Sequence, residues 1–137
     1  MAAALALVAQ PHAQPAQPVD CHRQHMWSDD YPGHYCEIRV ERISRTTEPL
    51  GIDARPNGSI EIRGDGGDSI VVTERVEAVA NSDSEARAMA AQVRVIRTGN
   101  TMYAEGPSSG HHSHWVVSYH VALPTHTDLN LDTENGE

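Results

Sequence analysis

The chain has no lysine and no phenylalanine, and only two cysteines among 137 residues. Its ten basic side chains are all arginine, set against 19 acidic ones, for a formal net charge of −9. An acidic chain repels phosphate backbones, which argues against a nucleic-acid partner. The lack of phenylalanine, beside plentiful valine, isoleucine and alanine, suits small-residue β packing rather than an aromatic-lined ligand pocket. There is no apolar run of about 20 residues, the length a membrane-spanning helix needs. No run of like charges marks a disordered tail. The G-x-S-x-G, H-E-x-x-H and P-loop signatures are absent, and no pair of carboxylates is placed across a cleft. The chain therefore reads as non-catalytic and without a cofactor, with room for one domain of modest core.

The short apolar stretch Met1 to Ala9 is broken by the Pro- and Gln-rich segment that follows it. This pattern predicts a secretory signal peptide over 1–16, cleaved after Ala13 or Ala16, rather than a membrane anchor. Its basic leading region is missing, so the true start is expected upstream. Cys21 lacks the small-residue context of a lipid-anchored cysteine. Cys21 and Cys36 flank a polar loop containing Pro and Gly. In an oxidising compartment they would pair, and closing a loop of about 15 residues is worth about 3 kcal/mol. Free thiols and metal ligation are the alternatives. Residues 17–49 are thus expected to form a disulfide-linked N-terminal segment with a first strand, and 50–137 a β-repeat domain.

Strand signals follow. The first, at 36–43, puts Ile38 and Val40 on one face and Glu37, Arg39 and Glu41 on the other. A short one at 59–63 buries Ile60 and Ile62. A long one at 69–80 carries Ile70, Val72, Val76, Ala78 and Ala80 on one parity, interrupted by Glu74. Ser82-Asp-Ser-Glu85 then fits a capping box, and Ala86, Met89, Ala90 and Val93 form an apolar stripe. A short helix is predicted from Ser82 to about Gln92. Gly99-Asn100 turns the chain between two further strands. The clearest strand, at 115–123, alternates Trp115, Val117, Tyr119, Val121 and Leu123 with polar residues. The predicted fold is mainly β, with antiparallel or solenoid-like stacked strands and one short α-helix.

Nine histidines are the most suggestive feature for chemistry. If the 115–123 strand extends backwards, His112, His114 and His120 share its polar face. Alternate imidazoles on a strand can share one Zn²⁺ or Cu²⁺ ion, so His112 and His114 are the metal candidates, against a plain polar hairpin tip. A second candidate set, Cys21, His22, His25, His34 and Cys36, lacks paired zinc spacing, and export favours the disulfide. Asp65 and Asp68 could attract Ca²⁺, but their Gly-rich setting reads as a turn. Trp27 and Tyr31 beside Asp29-Asp30 could form a sugar platform, though aromatic packing in a disulfide-bound loop is commoner.

The phrase Leu50-Gly-Ile-Asp-Ala-Arg-Pro-Asn57-Gly58 returns, one residue shorter, as Leu129-Asn-Leu-Asp-Thr-Glu-Asn135-Gly136. Asn-Gly is a strong turn signal because both residues tolerate positive φ. After Gly58 a strand follows, and after Gly136 only Glu137 remains. The long separation of the copies predicts that they are not successive rungs, and that further strands follow Glu137. The residues Asn57-Gly-Ser-Ile-Glu-Ile-Arg-Gly64, Asp68-Ser-Ile-Val-Val72, Ser84-Glu-Ala-Arg-Ala88, Ala104-Glu-Gly-Pro107, Trp115 to Pro124 and Asp128 to Gly136, in that order and spacing, carry a resemblance to one bacterial family. The chain resembles this adhesin-type family of β-strand-repeat (β-solenoid) envelope proteins, a domain of unknown function. The resemblance covers most of 50–137 and implies stacked strands and no catalytic residues. The sequence is expected to encode a non-catalytic exported β-repeat protein of the bacterial cell envelope, serving surface interaction or scaffolding with an unknown envelope partner. The alternative is a periplasmic metal-binding module using His112 and His114.

Overall fold

Two-residue alternation builds strands here, and a single apolar stripe builds a helix. The structure, a computed structural model, describes residues 19–21, 31–44, 48–55, 57–64, 67–124 and 127–134. Strands β1 (Gly33–Ser44), β2 (Leu50–Asp53), β3 (Ile60–Arg63) and β4 (Ser69–Ala80) precede helix α1 (Asp83–Ala91). Strands β5 (Arg94–Thr98), β6 (Thr101–Glu105), β7 (His114–Ala122) and β8 (Leu129–Asp132) follow it. The fold is mainly β with one short helix. The expected signal peptide at 1–16 and the closing Asn135-Gly136 lie outside the described residues.

Two mixed four-stranded sheets form, in orders β1-β4-β7-β3 and β5-β6-β2-β8, and neither closes. In the first, β4 is antiparallel to β1 and β7, and β3 runs parallel to β7. In the second, β2 is parallel to both β6 and β8, while Gly99, at φ +60°, turns the β5–β6 hairpin. One core joins both sheets and the helix, with Ile52, Val72, Val76, Met102, Tyr119 and Val121 fully buried in it. Trp115 flanks this core and donates its indole N–H to the Pro107 carbonyl at 2.7 Å.

The helix begins as its sequence requires. The Ser82 hydroxyl accepts the Glu85 N–H at 3.1 Å, and the Glu85 carboxylate reaches back to the Asn81 N–H at 3.2 Å. Ala86, Ala90 and Val93 are buried and Met89 packs beside them. The last turn has no basic residue of its own. Its negative end is met instead from β1, where Arg39 donates to the carbonyls of Val93 at 2.7 Å and Ala90 at 3.1 Å. The same guanidinium pairs with Glu37 at 2.7 Å.

This arrangement turns the charged face of the first strand, not its apolar one, toward the interior, against the general expectation that strands bury their valine and isoleucine. Ile38 and Val40 point away from the core, 36% and 62% exposed, while Glu37, Arg39 and Glu41 share the core-side parity. The cause is register. Ile43 pairs with Ile70, and β4 commits the Ile70, Val72, Val76 and Ala78 parity to the interior. Residues opposite one another in an antiparallel pair share a face, so β1 has no choice once β4 is placed.

The repeated phrase brings a second correction. Its two copies lie side by side, as parallel strands aligned residue for residue: Leu50 with Leu129, Gly51 with Asn130, Ile52 with Leu131, Asp53 with Asp132. The Ala54 N–H donates to the Asp132 carbonyl at 2.8 Å and continues the alignment. Separation along the chain is no barrier to parallel pairing, since parallel strands need a long crossover in any case. The expected reason for Asn57-Gly58 also changes. Among the described glycines only Gly99 has positive φ. Gly58 is required for closeness: an added Cβ would lie 2.1 Å from the Val117 carbonyl oxygen and 2.6 Å from that of Ala54.

Candidate functional site

β8 ends one sheet and β3 ends the other. Beside β8, the parallel register sets two carboxylates directly opposite each other, Asp53 and Asp132. Like charges so placed repel, and Arg55 relieves this. Its Nε donates to one oxygen of Asp53 at 2.8 Å and its Nη2 donates to the other. The backbone N–H of Arg55 adds a third bond to the same carboxylate at 3.0 Å. The hydrogen bonds from Arg55 hold the Asp53 carboxyl below the usual range. Asp53 in turn raises the Arg55 guanidinium, with Asp132 and Glu134 adding to it. Asp53, Arg55 and Glu134, with Tyr103 and Ala104, line an open cleft of about 340 Å³. Arg55 and Asp53 satisfy each other through these bonds.

At the opposite end of the first sheet, Cys21 and Cys36 form a disulfide, with Cα atoms 5.8 Å apart. Cys36 stands on the outer face in one row with Glu77 and Val116, and both of these are buried. Tyr31 packs edge-on against His114, with ring centroids 5.7 Å apart. Val79 and Val116 on this outer face are buried. His22, His25, Trp27, Asp29, Asp30 and Asp65 lie outside the described residues.

The histidine candidates do not form the expected row. Gly110 and Ser113 bridge each other and close a tight turn over His111 and His112, so β7 begins at His114. His112 is exposed in that turn, while His114 is half-buried on the outer sheet face beside Val79. His120 shares that face, and its Nδ1 lies 3.2 Å from a Glu61 carboxylate oxygen. Burial lowers its pKa despite this acidic neighbour. Among the described residues, no group of three or more histidine, cysteine or acidic side chains is gathered to hold a metal. Zn²⁺ or Cu²⁺ titrated into the wild type and a His112→Ala/His114→Ala variant should give indistinguishable heats. Micromolar binding lost only in the variant would establish the metal-binding alternative.

Sequence reading missed the Asp53–Arg55–Asp132 group, because nothing local announces that residues 79 positions apart are neighbours. The one signal was the repeated Leu-x-(Ile/Leu)-Asp itself. It also missed what faces Glu74, whose opposite partner in register is Tyr119. Both side chains are buried, and a Glu74 carboxylate oxygen and the Tyr119 hydroxyl have no hydrogen-bond partner. Burial first, and Glu41 second, push the Glu74 pKa up to about 7. Burial and then Glu74 raise that of Tyr119. No helix among the described residues is long and apolar enough to cross a membrane. Comparison with family models, with curated proteins and with solved structures gives no match.

Proposed function

We propose that this chain is a non-catalytic, exported β-repeat protein of the bacterial cell envelope, acting in surface interaction or scaffolding. The observation that carries the reading is the Cys21–Cys36 disulfide, which fastens the N-terminal residues over one end of a sheet. Structural disulfides persist in oxidising compartments and are rare where thiols are kept reduced. The in-register stacking of the two Leu-x-(Ile/Leu)-Asp phrases supports the repeat element of the proposal. A strand that followed β8 as β3 follows β2 would arrive beside β3, in keeping with a solenoid-like stack of the adhesin type. The Asp53, Asp132 and Glu134 carboxylates beside that edge supply an acidic contact surface.

Thiol alkylation and non-reducing peptide mapping test the reading on protein recovered from the envelope or the medium. The expected product is one linked peptide pair containing Cys21 and Cys36; free thiols at both positions would overturn export. Replacing both cysteines by serine should lower stability by about 3 kcal/mol, the value for a loop of about 15 residues. Thermal unfolding with and without reductant measures this, and reductant should affect only the wild type.

A further inference from the structure

β1 is the terminal strand of the first sheet, and β4 is its sole partner among the described residues. It is 12 residues long and contains neither Pro nor Lys, two residues that commonly blunt an open edge. Val40 is 62% exposed and Ile38 36% exposed, and both stand on its outer face. Its core-side parity carries Glu37, Arg39 and Glu41. Inward charges on an edge strand reject most incoming strands, because an apolar or like-charged neighbour leaves them unpaired. They accept a strand that brings the opposite charge to whichever inward charge lacks a partner of its own.

β1 itself is such a strand in one orientation. We propose that this edge is a homodimer interface, in which β1 pairs antiparallel with β1 of a second copy about a two-fold axis at Val40. Opposed residues must share a face, so the axis passes through a residue rather than between two. Centred on Val40, Arg39 of each copy faces Glu41 of the other, and Val40 covers Val40. Ile38 lies opposite Arg42, whose aliphatic stem covers it. Centring on Arg39 instead would set arginine against arginine and Glu37 against Glu41, which is repulsive. Centring on Ile38 pairs Glu37 with Arg39 but leaves the more exposed Val40 opposite the disulfide-bonded Cys36. The Val40 register is preferred on a further ground. Glu41 makes no ion pair within its own subunit among the described residues, whereas Glu37 already holds Arg39. The pairing continues the first sheet across both copies, with β3 at each far end, and leaves β8 of the second sheet untouched. It holds whether or not the protein is exported.

Sedimentation velocity of the full chain over a range of concentrations tests association, and single cysteines test register. The wild type should shift from monomer to twice that mass as concentration rises, and Val40→Lys should abolish the shift while circular dichroism is unchanged. Under mild oxidation Val40→Cys should form a covalent dimer at least tenfold faster than Arg42→Cys or Ile38→Cys. A wild type monomeric at every concentration overturns the proposal. So does crosslinking that is equal at the three positions, or fastest at Ile38.

Discussion

Replacing Gly58 by alanine is expected to destabilise the fold by about 3 kcal/mol or more, the upper range for forced overpacking. The new methyl would sit 2.1 Å from the Val117 carbonyl oxygen and 2.6 Å from that of Ala54. Both obstacles are backbone, so no side-chain rotation relieves the overlap. The Gly58 N–H also donates to the Ala54 carbonyl at 2.8 Å, and the turn cannot move outward without losing that bond. The neighbouring Tyr119 N–H, donated to Ser59 at 2.8 Å, ties the same turn to β7. Domains of this size are stable by roughly 5–15 kcal/mol, so the loss is a large share of the total. Gly64→Ala is the matched control, since nothing lies within 4 Å of its added Cβ. Urea denaturation should show a large fall in midpoint for Gly58→Ala and a change within about 0.5 kcal/mol for Gly64→Ala. Equal midpoints for both variants would remove the close-approach explanation.

Stability should fall as pH rises from about 4.5 to about 7, through one buried carboxyl. Glu74 is 3% exposed, and its pKa stands at about 7 in the fold against 4.5 when free. A raised carboxyl pKa means that the folded chain holds the proton more tightly than the unfolded chain. The stabilisation is complete below pH 4.5, declines as pH climbs through the folded value, and is gone above it. The shift corresponds to roughly 3 kcal/mol at one pKa unit per 1.36 kcal/mol. The groups facing Glu74 are Arg39 and Glu41 on β1 and Tyr119 on β7, and of these only Arg39 favours the charged form. Arg39 is committed to Glu37 and to the carbonyls of Ala90 and Val93, which weakens its hold on Glu74. Glu74→Gln keeps the shape and removes the charge. The variant should exceed the wild type in stability at pH 8 by a few kcal/mol and match it near pH 4. His120, whose pKa burial lowers, loses stability in the opposite direction as pH falls, and subtracting variant from wild type cancels it. A difference that stays constant from pH 4 to 8 would show that Glu74 titrates alike in the folded and unfolded chains.

Much of this molecule follows from local pattern. The Ser69–Ala80 strand, including Glu74 on its buried side, is legible because alternation is a property of the backbone alone. The capped helix and the Trp115–Leu123 alternation are legible for the same reason. The disulfide could be expected because the chain holds only two cysteines. β2 was not legible as a strand. It is four residues long with a glycine inside, and its stability comes from parallel neighbours far away in sequence.

By itself, then, the sequence determined which residues alternate, where the helix starts, and that two copies of one phrase exist. Only the tertiary structure decided which side of each element turns inward. β1 carries two faces of nearly equal claim, Ile38 and Val40 against Glu37, Arg39 and Glu41. Pairing with β4 and the carbonyls at the end of α1 settled the matter for the charged face. Only the tertiary structure set Asp53 beside Asp132, and Tyr119 over Glu74. Local pattern acts through bonds and near neighbours, whereas face and register are set by whichever strand arrives alongside. In a sheet protein that strand comes from anywhere in the chain, and the charges at the acidic edge and the open edge of β1 were placed by such distant partners.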